Sequence, residues 1–587
     1  VSADEGNVFG RRINRETLIE KEKGVLIIAP ESPSGQEKAL EIKKKFESIG
    51  IPAALSMNPD HNALLNADRP VVLLGNLADS RCVKYLYYKL MCTVDKSYPG
   101  KEGYVIRTMP DPFATGYNVI HIGYSDEEGL SLGVKEFTEN IKLPLPFFNR
   151  VSCKHNPYDL HVLERIKKTP LPEKIELTPS IHTSFWYMKG FVYYITGDES
   201  CLPGFWEGWQ RIIDISKKNP ALISGTHLYF TQHVEIWWML ESAGLIPDDL
   251  RGPIEECIFR WAESPEGIGY AAHHLGRDLP SHNHTMFCGV SLMYIADFFG
   301  KYYPSLNQPK EWAKATRRIF ESFDNGGWKP YCDDSSYSNQ VTLPLVCVYS
   351  IFQDDHTFLN TSGKIAAAWI KAMIGQNGIV PSYGDGTTKD PFPTVVTRLL
   401  SHYYEDGELR WLHDRIYKPG EYAPDINSWR LFDSGVKPVY PAAPMKINAF
   451  PLDRRFYDIW DKNEAEGVRM SVMRPDGPYE QCFDKLSIRT GWDEIEDDFL
   501  LIDGLGSNGI HAYNDAMGIL DYTSKGIVWL VEENCYRFPE PEHLSMITIA
   551  RSGYAADIPG YALMEEQKEL APDHLYVRLR LKNYNRC

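Results

Sequence analysis

The feature that most constrains this chain is that its hydrophobic period changes twice along its length. Over residues 1–160 short apolar runs alternate with amphipathic stretches, from about 203 to 415 the pattern is helix after helix, and beyond about 440 the period becomes two. Val25-Leu-Ile-Ile28, Val71-Val-Leu-Leu74 and Tyr117–Ile122 read as short buried strands. Ser34-Gly-Gln-Glu37 fits a capping box opening a helix to about Ser48, and 127–141 carries helical periodicity. Strands alternating with helices predict a mostly parallel sheet. The loop Ala29–Gly35 has neither GxGxxG spacing nor a P-loop lysine, so this region reads as accessory or structural rather than nucleotide-binding.

The stretch 161–202, rich in Pro, Tyr and Phe, reads as a linker. Eight amphipathic helices of similar length follow: 205–218, 226–243, 253–262, 284–299, 311–323, 341–352, 362–374 and 393–404. Paired helices without a sequence repeat fit an (α/α) toroid, with a bundle or solenoid as the competing arrangement. Then 467–473, 498–502 and 527–531 read as strands of an antiparallel β-sandwich. The expected fold class is therefore multidomain α+β: an α/β domain (1–160), a linker (161–202), an (α/α) toroid (203–440) and a β-sandwich (441–587). Because the chain stops at Cys587 soon after the strand-like Leu575–Leu581, the sandwich is expected to be incomplete and the native protein to continue.

With 587 residues there is room for three or four domains. A net charge of −17 argues against nucleic acid, which needs a Lys/Arg excess, but leaves room for an anionic substrate in a locally basic cleft. No segment reaches the roughly 20 apolar residues that span a bilayer, and Val1–Arg12 lacks the apolar core of a signal peptide. The 11 Cys are scattered without a CxxC pair, so no zinc knuckle or redox motif is indicated. The 34 Tyr and 14 Trp suit stacking on sugar rings, although large cores also consume aromatics.

Four polar clusters interrupt the apolar pattern. Arg277-Asp-Leu-Pro-Ser-His-Asn-His284 opens an apolar helix, where Asn283 and His284 combine an amide donor, a titratable ring and a positive dipole end. Simple capping by Ser281 or Asn283 would look the same. Tyr331–Asn339 places Tyr337 just before another helix, and Val380–Gly386 is a tight loop holding Tyr383 and Asp385. In Gly504–Asp515 the glycines permit close backbone approach, and His511, Tyr513 and Asp515 share a face if the segment is extended. His511 with Glu532 and His543 can bind a divalent metal such as zinc.

Over roughly 200–560 these clusters, in this order, resemble the heparinase II/III-like polysaccharide lyases. Leu486-Ser-Ile-Arg-Thr-Gly-Trp492 resembles the family's Arg…Trp strand, His511–Asp515 its His-x-His-x-Asp segment, and Glu532–Tyr536 with His543-Leu-Ser its Asp-x-Gly-x-Tyr and His-Asn-Thr segments. Tyr513 stands where the family has a second His and Glu532 where it has an Asp, and both departures count against the structural metal. No cofactor is otherwise required.

The resemblance implies β-elimination on a uronic-acid-containing polysaccharide, with Asn283, His284, Tyr337 and His511 as catalytic residues. Arg277, Arg398 and Arg489 are candidates to hold substrate carboxylates. Trp186 and Tyr383 are candidate sugar contacts, as are Trp206, Trp237 and Trp238. The implied setting is periplasmic or secreted. A toroid glycoside hydrolase, using a pair among Asp333, Asp334 and Asp385, and a non-catalytic glycan binder are the alternatives.

Overall fold

A computed structural model describes residues 9–173, 185–218, 230–265, 267–273, 283–324, 327–329, 341–384, 394–423, 429–442, 446–455, 477–505, 516–532, 545–547, 562–572 and 574–581. It is a mixed helix-and-sheet architecture whose residues fall into two compact units. The first gathers Val1–His274, Phe287–Arg317 and Tyr417–Gly435; the second gathers Leu275–Met286, Arg318–Ile416 and Val436–Cys587.

The first unit contains a six-stranded sheet. Its elements run β1 (Val25–Ala29), α1 (Pro33–Ser48), β2 (Ala53–Met57), α2 (Asn62–Leu65), β3 (Val71–Leu74), α3 (Arg81–Tyr88), β4 (Tyr104–Met109), β5 (Val119–Tyr124), α4 (Glu127–Glu139) and β6 (Asn149–Ser152). The spatial order is β2-β1-β3-β5-β4-β6, parallel from β2 to β5 and antiparallel through β4 and β6. β1 and β3 are apolar at every position because helices cover both faces of a parallel sheet. α1 buries Gly35, Ala39, Ile42 and Phe46 on one face, and burying each of its larger apolar side chains contributes about 2 kcal/mol.

The expected capping box at Ser34 does not form. The N-cap is Ser32, and Pro33 occupies the first turn, where its missing N–H costs nothing. At the carboxyl ends of β1, β3 and β5, where doubly wound sheets bind phosphates, the Asp79 carboxylate accepts from Asn76 N (2.8 Å), Tyr124 Oη (2.6 Å) and Ser32 Oγ (3.3 Å). A half-buried side-chain carboxylate of the chain itself already holds that position.

The same unit continues through α5 (Leu160–Lys168), α6 (Met188–Thr196), α7 (Leu202–Lys218), α8 (Phe230–Ser242), α9 (Asp248–Glu263) and α10 (Tyr270–His273). α11 (Asn283–Tyr302) and α12 (Gln308–Glu321) follow, and belong to this unit over 287–302 and 308–317. Two helices thus occupy the stretch expected as a linker. α6 is buried from Met188 through Ile195, so it shows no amphipathic period and reads from sequence as featureless. α9 starts five residues before Pro253, the expected first residue, and carries that proline internally.

Side chains rivet the sheet domain to these helices, and to the returning segment Tyr417–Gly435, by reaching backbone carbonyls. Arg107 Nη2 donates to Tyr194 O (2.7 Å), Tyr98 Oη to Ile195 O (2.9 Å), Trp238 Nε1 to Lys89 O (2.7 Å) and Arg430 Nη1 to Tyr87 O (2.7 Å).

The second unit holds α13 (Leu343–Gln353), α14 (Thr357–Asn360), α15 (Ser362–Met373), α16 (Thr394–Tyr404) and α17 (Gly407–Ile416). Its strands are β7 (Lys446–Pro451), β8 (Phe483–Arg489), β9 (Phe499–Asp503), β10 (Ile519–Ser524), β11 (Ile527–Val531), β12 (Leu563–Ala571) and β13 (His574–Arg580). β7 to β11 form one antiparallel sheet in the order β11-β10-β9-β8-β7, and β12 and β13 form a hairpin. Phe483, Leu486 and Ala562 make a shared core, packed by Ile447, Ile488 and Ile502 from the sheet and Met564, Val577 and Leu579 from the hairpin. The strand expected over 467–473 lies outside the described residues.

Candidate active site

The polar centre of the second unit is a group of four charges with no solvent exposure. β8 reads Phe483-Asp-Lys-Leu-Ser-Ile-Arg489, an apolar strand interrupted by an adjacent acid and base. Asp484 is ion-paired with Lys329 and accepts from Trp369 Nε1 on α15 at 2.8 Å. Lys485 pairs with Asp503 at 2.8 Å, lies 3.6 Å from Asp484, and sets its ammonium 4.4 Å from the centre of the Tyr383 ring. All four charged side chains are 0% exposed.

Burying four charges is expensive, and the group persists because the two signs balance and both oxygens of Asp484 and Oδ1 of Asp503 are hydrogen-bonded. Burial alone would raise the pKa of Asp484, but Lys329 and Lys485, with hydrogen bonds from Lys329 and Trp369, hold it below the ordinary carboxylate range. Asp503 also accepts from Leu505 N (2.9 Å), and Gly504 N donates to Asp484 O (2.7 Å). Gly504 has to be glycine here: a Cβ would stand 2.2 Å from the Phe483 carbonyl oxygen.

This group stands at the root of three chain segments. Lys329 directly precedes 330–340, Tyr383 and Gly384 precede 385–393, and Asp503 to Leu505 precede 506–515. Those segments carry Tyr337, Asp385 and His511. They lie outside the described residues, as do Arg277 and His543. Tyr337 is eight residues beyond Lys329, and His511 eight beyond Asp503.

Asn283 is the first residue of α11, its side chain outside the described set, and His284 follows, half-buried. Arg398 is buried on α16, where its charge and that of Arg410 add to burial in driving the pKa of His413 on α17 well below the ordinary histidine value. Arg489 is buried on β8, its guanidinium 3.5 Å from the Trp492 ring centre and 4.3 Å from that of Phe499, donating to Gln376 Oε1 and Ile374 O. Burial, then the nearby charge of Arg415, lower its pKa to about 9. These contacts are packing contacts, so Arg489 offers no open fork to a substrate carboxylate.

Trp186 is 0% exposed, and Trp237, Trp238 and Tyr383 are likewise buried, so none presents a ring face for a sugar. Trp206 is half-buried against Phe205, their ring centres 4.7 Å apart.

No family model matches this chain, and no curated protein matches it. Among solved structures it is similar to a heparinase III with methylated lysines (TM-score 0.40, 11% identity, 76% of this chain and 70% of that one). A further structure of that heparinase III gives TM-score 0.42 and 12% identity over 76% and 69% of the two chains. A third heparinase III structure gives TM-score 0.39 and 12% identity over 66% and 56%.

For the metal expected from His511, Glu532 and His543, only Glu532 is described. It is buried, its Oε1 accepts from Ser545 N (2.7 Å), and its Oε2 has no partner among the described residues. Burial raises its pKa to about 7. A buried carboxylate with one uncommitted oxygen is compatible with a cation ligand. Among the described residues no group of three or more His, Cys, Asp or Glu is arranged to hold a metal, and no helix is long and apolar enough to cross a membrane.

The sequence reading did not single out Lys329, Trp369, Asp484, Lys485 or Asp503. Its one local signal was an adjacent Asp-Lys inside an apolar strand, because charges with no solvent face must find partners.

Proposed function

We propose that this chain is a polysaccharide lyase that cleaves a uronic-acid-containing glycan by β-elimination, on an (α/α) toroid joined to an antiparallel β-sandwich. The observation that carries the reading is that α11, twenty residues long, opens on Asn283-His284. Elimination removes the weakly acidic C5 proton of a uronate, which requires the adjacent carboxylate to be neutralised and the enolate-like charge to be stabilised. An amide and an imidazole at the positive end of a long helix supply that, whereas a hydrolase has no need of it.

In the proposed reaction a base takes the C5 proton. The freed electron pair forms the C4–C5 double bond, the bond from C4 to O4 breaks, and Tyr337 gives its phenolic proton to the leaving oxygen. Tyr337 as phenolate, His284 and His511 are the candidate bases. Arg277 and Arg398 are the candidate carboxylate partners, and a divalent cation on Glu532, His511 and His543 would brace the β-region. The substrate class implies a periplasmic or secreted enzyme.

The test is a screen of uronate polymers by ultraviolet absorbance, since the unsaturated product absorbs and the intact polymer does not. On the polymer that responds, Tyr337→Phe should lower kcat by about 10²-fold or more with the circular dichroism spectrum unchanged. Release of reducing ends without the absorbing product would replace the lyase reading with hydrolysis.

A further inference from the structure

Arg455, just beyond β7, makes a set of contacts that the proposed reaction leaves unused. Its Nη1 donates to Ser322 O (2.9 Å) and its Nη2 to Lys329 O (2.6 Å), so one guanidinium gathers two carbonyls from either end of the stretch 322–329. Asp453 meets the same guanidinium in a bidentate pair, Nη2 to Oδ2 at 2.8 Å and Nε to Oδ1 at 3.1 Å. Oδ2 of Asp453 also accepts from Trp328 N at 3.1 Å. The guanidinium lies 4.6 Å from the centre of the Phe323 ring. A Cβ on Gly327 would stand 2.1 Å from Arg455 Cζ, which its hydrogen bonds hold in place, so glycine alone lets the chain pass this close. Trp328 and Lys329 are thus held through a backbone N–H, a backbone carbonyl and the Lys329–Asp484 ion pair at once.

A nearly buried ion pair adds little net stability over apolar side chains of the same volume, whereas a bidentate guanidinium fixes geometry. Such a device suits a place where position matters. The residues that follow Lys329, 330–340, carry Tyr337. A reacting group has to be held within about 0.5 Å of its productive place.

We propose that Arg455, braced by Asp453, is a positioning residue for Tyr337: by fixing where and in which direction the chain leaves Lys329, it fixes where the phenol meets the leaving oxygen. The inference rests on the reading of Tyr337 as the proton donor. Lysine cannot take the place of Arg455, because an ammonium carries the charge without the planar fork that holds both carbonyls and the carboxylate together.

The test joins two measurements on the full chain. In the first, Arg455→Lys and Tyr337→Phe are combined in a double-mutant cycle on the polymer that responds. Arg455→Lys alone should lower kcat by about 10- to 100-fold with KM within about twofold, and should cost nothing further in the Tyr337→Phe background. In the second, 3-fluorotyrosine replaces Tyr337 alone, and its fluorine resonance is followed as pH rises. Arg455→Lys should move both the resonance and the titration of the phenol. Losses that multiply in the cycle overturn the proposal, because a clamp that only stabilises the fold acts without regard to Tyr337. So does a fluorine resonance and titration unchanged by Arg455→Lys. Asp453→Asn keeps an acceptor for Trp328 N while removing the charge that braces the guanidinium, and gives the same comparison if Arg455→Lys fails to fold. The fluorine measurement needs no substrate, so it tells the two failures apart: full activity in Tyr337→Phe would sink the proton-donor reading, and a still fluorine signal would sink the positioning one.

Discussion

At the scale of single residues, the buried acids set how stability responds to pH. Glu235 on α8 is buried and accepts from Trp429 Nε1 at 2.6 Å; burial lifts its pKa to about 7 against the opposing pull of that bond and of Arg430. Asp95, buried beside Asp433 and bonded to Tyr87 Oη, is also lifted to about 7. A carboxyl raised on folding contributes stability that is complete below its unfolded pKa, near 4, and is lost as pH climbs through 7. Asp484, depressed on folding, contributes in the opposite sense: its share is present above the unfolded value and is lost as pH falls through the folded one. Thermal stability should therefore peak near pH 4, decline as pH rises to about 7, and level off above it. Glu235→Gln keeps an acceptor for Trp429 and should shallow that decline by about 2–3 kcal/mol, read from melting curves across the range. An unchanged slope would show that Glu235 stays ionised in the folded protein. Asn283 and His284 stand out in the sequence because they are adjacent, whereas the Lys329–Asp484 pair does not, since 155 positions separate its members.

At the scale of elements, strong periodicity was readable and its absence was misleading. The helices over 202–218, 283–302, 362–373 and 394–404 lie within a few residues of where the apolar spacing put them, and β11 coincides with its expected strand. α6 was missed because a helix buried all round has no polar face to reveal its period, and β2 and β6 because short strands of mixed composition give no alternation. The charged elements pose a sharper question. Lys329→Met strands one side of Asp484 and should cost about 3–5 kcal/mol, while Lys329→Met with Asp484→Leu should recover most of that loss, as replacing a buried ion pair by apolar side chains commonly does. Urea denaturation of the two variants decides the point. A double variant as unstable as the single one would mean that Asp484 is needed for more than its pairing with Lys329, through Lys485 or Trp369.

At the scale of the whole molecule, the α/β domain is part of the helical body to which it is riveted. Arg107, Tyr98, Trp238 and Arg430 each reach a backbone carbonyl across that junction, and removing the domain would leave two of these donors and two of the carbonyls unsatisfied. A chain beginning at residue 161 should be recovered as aggregate, where a detachable module would leave a soluble remainder in gel filtration. This integration was not legible in the sequence, because each rivet joins a side chain to a distant peptide group and leaves no pattern along the chain.

The return of Tyr417–Gly435 to the first unit also has a temporal meaning. Phe432 N donates to Tyr87 Oη and Tyr158 Oη to Trp429 O, so this segment completes a core begun more than 250 positions earlier. On the ribosome, at about 5–20 residues per second, the sheet domain emerges long before its closing piece. For tens of seconds the nascent chain must hold that surface open, which makes the interval before residue 435 is synthesised the period when chaperone capture matters most.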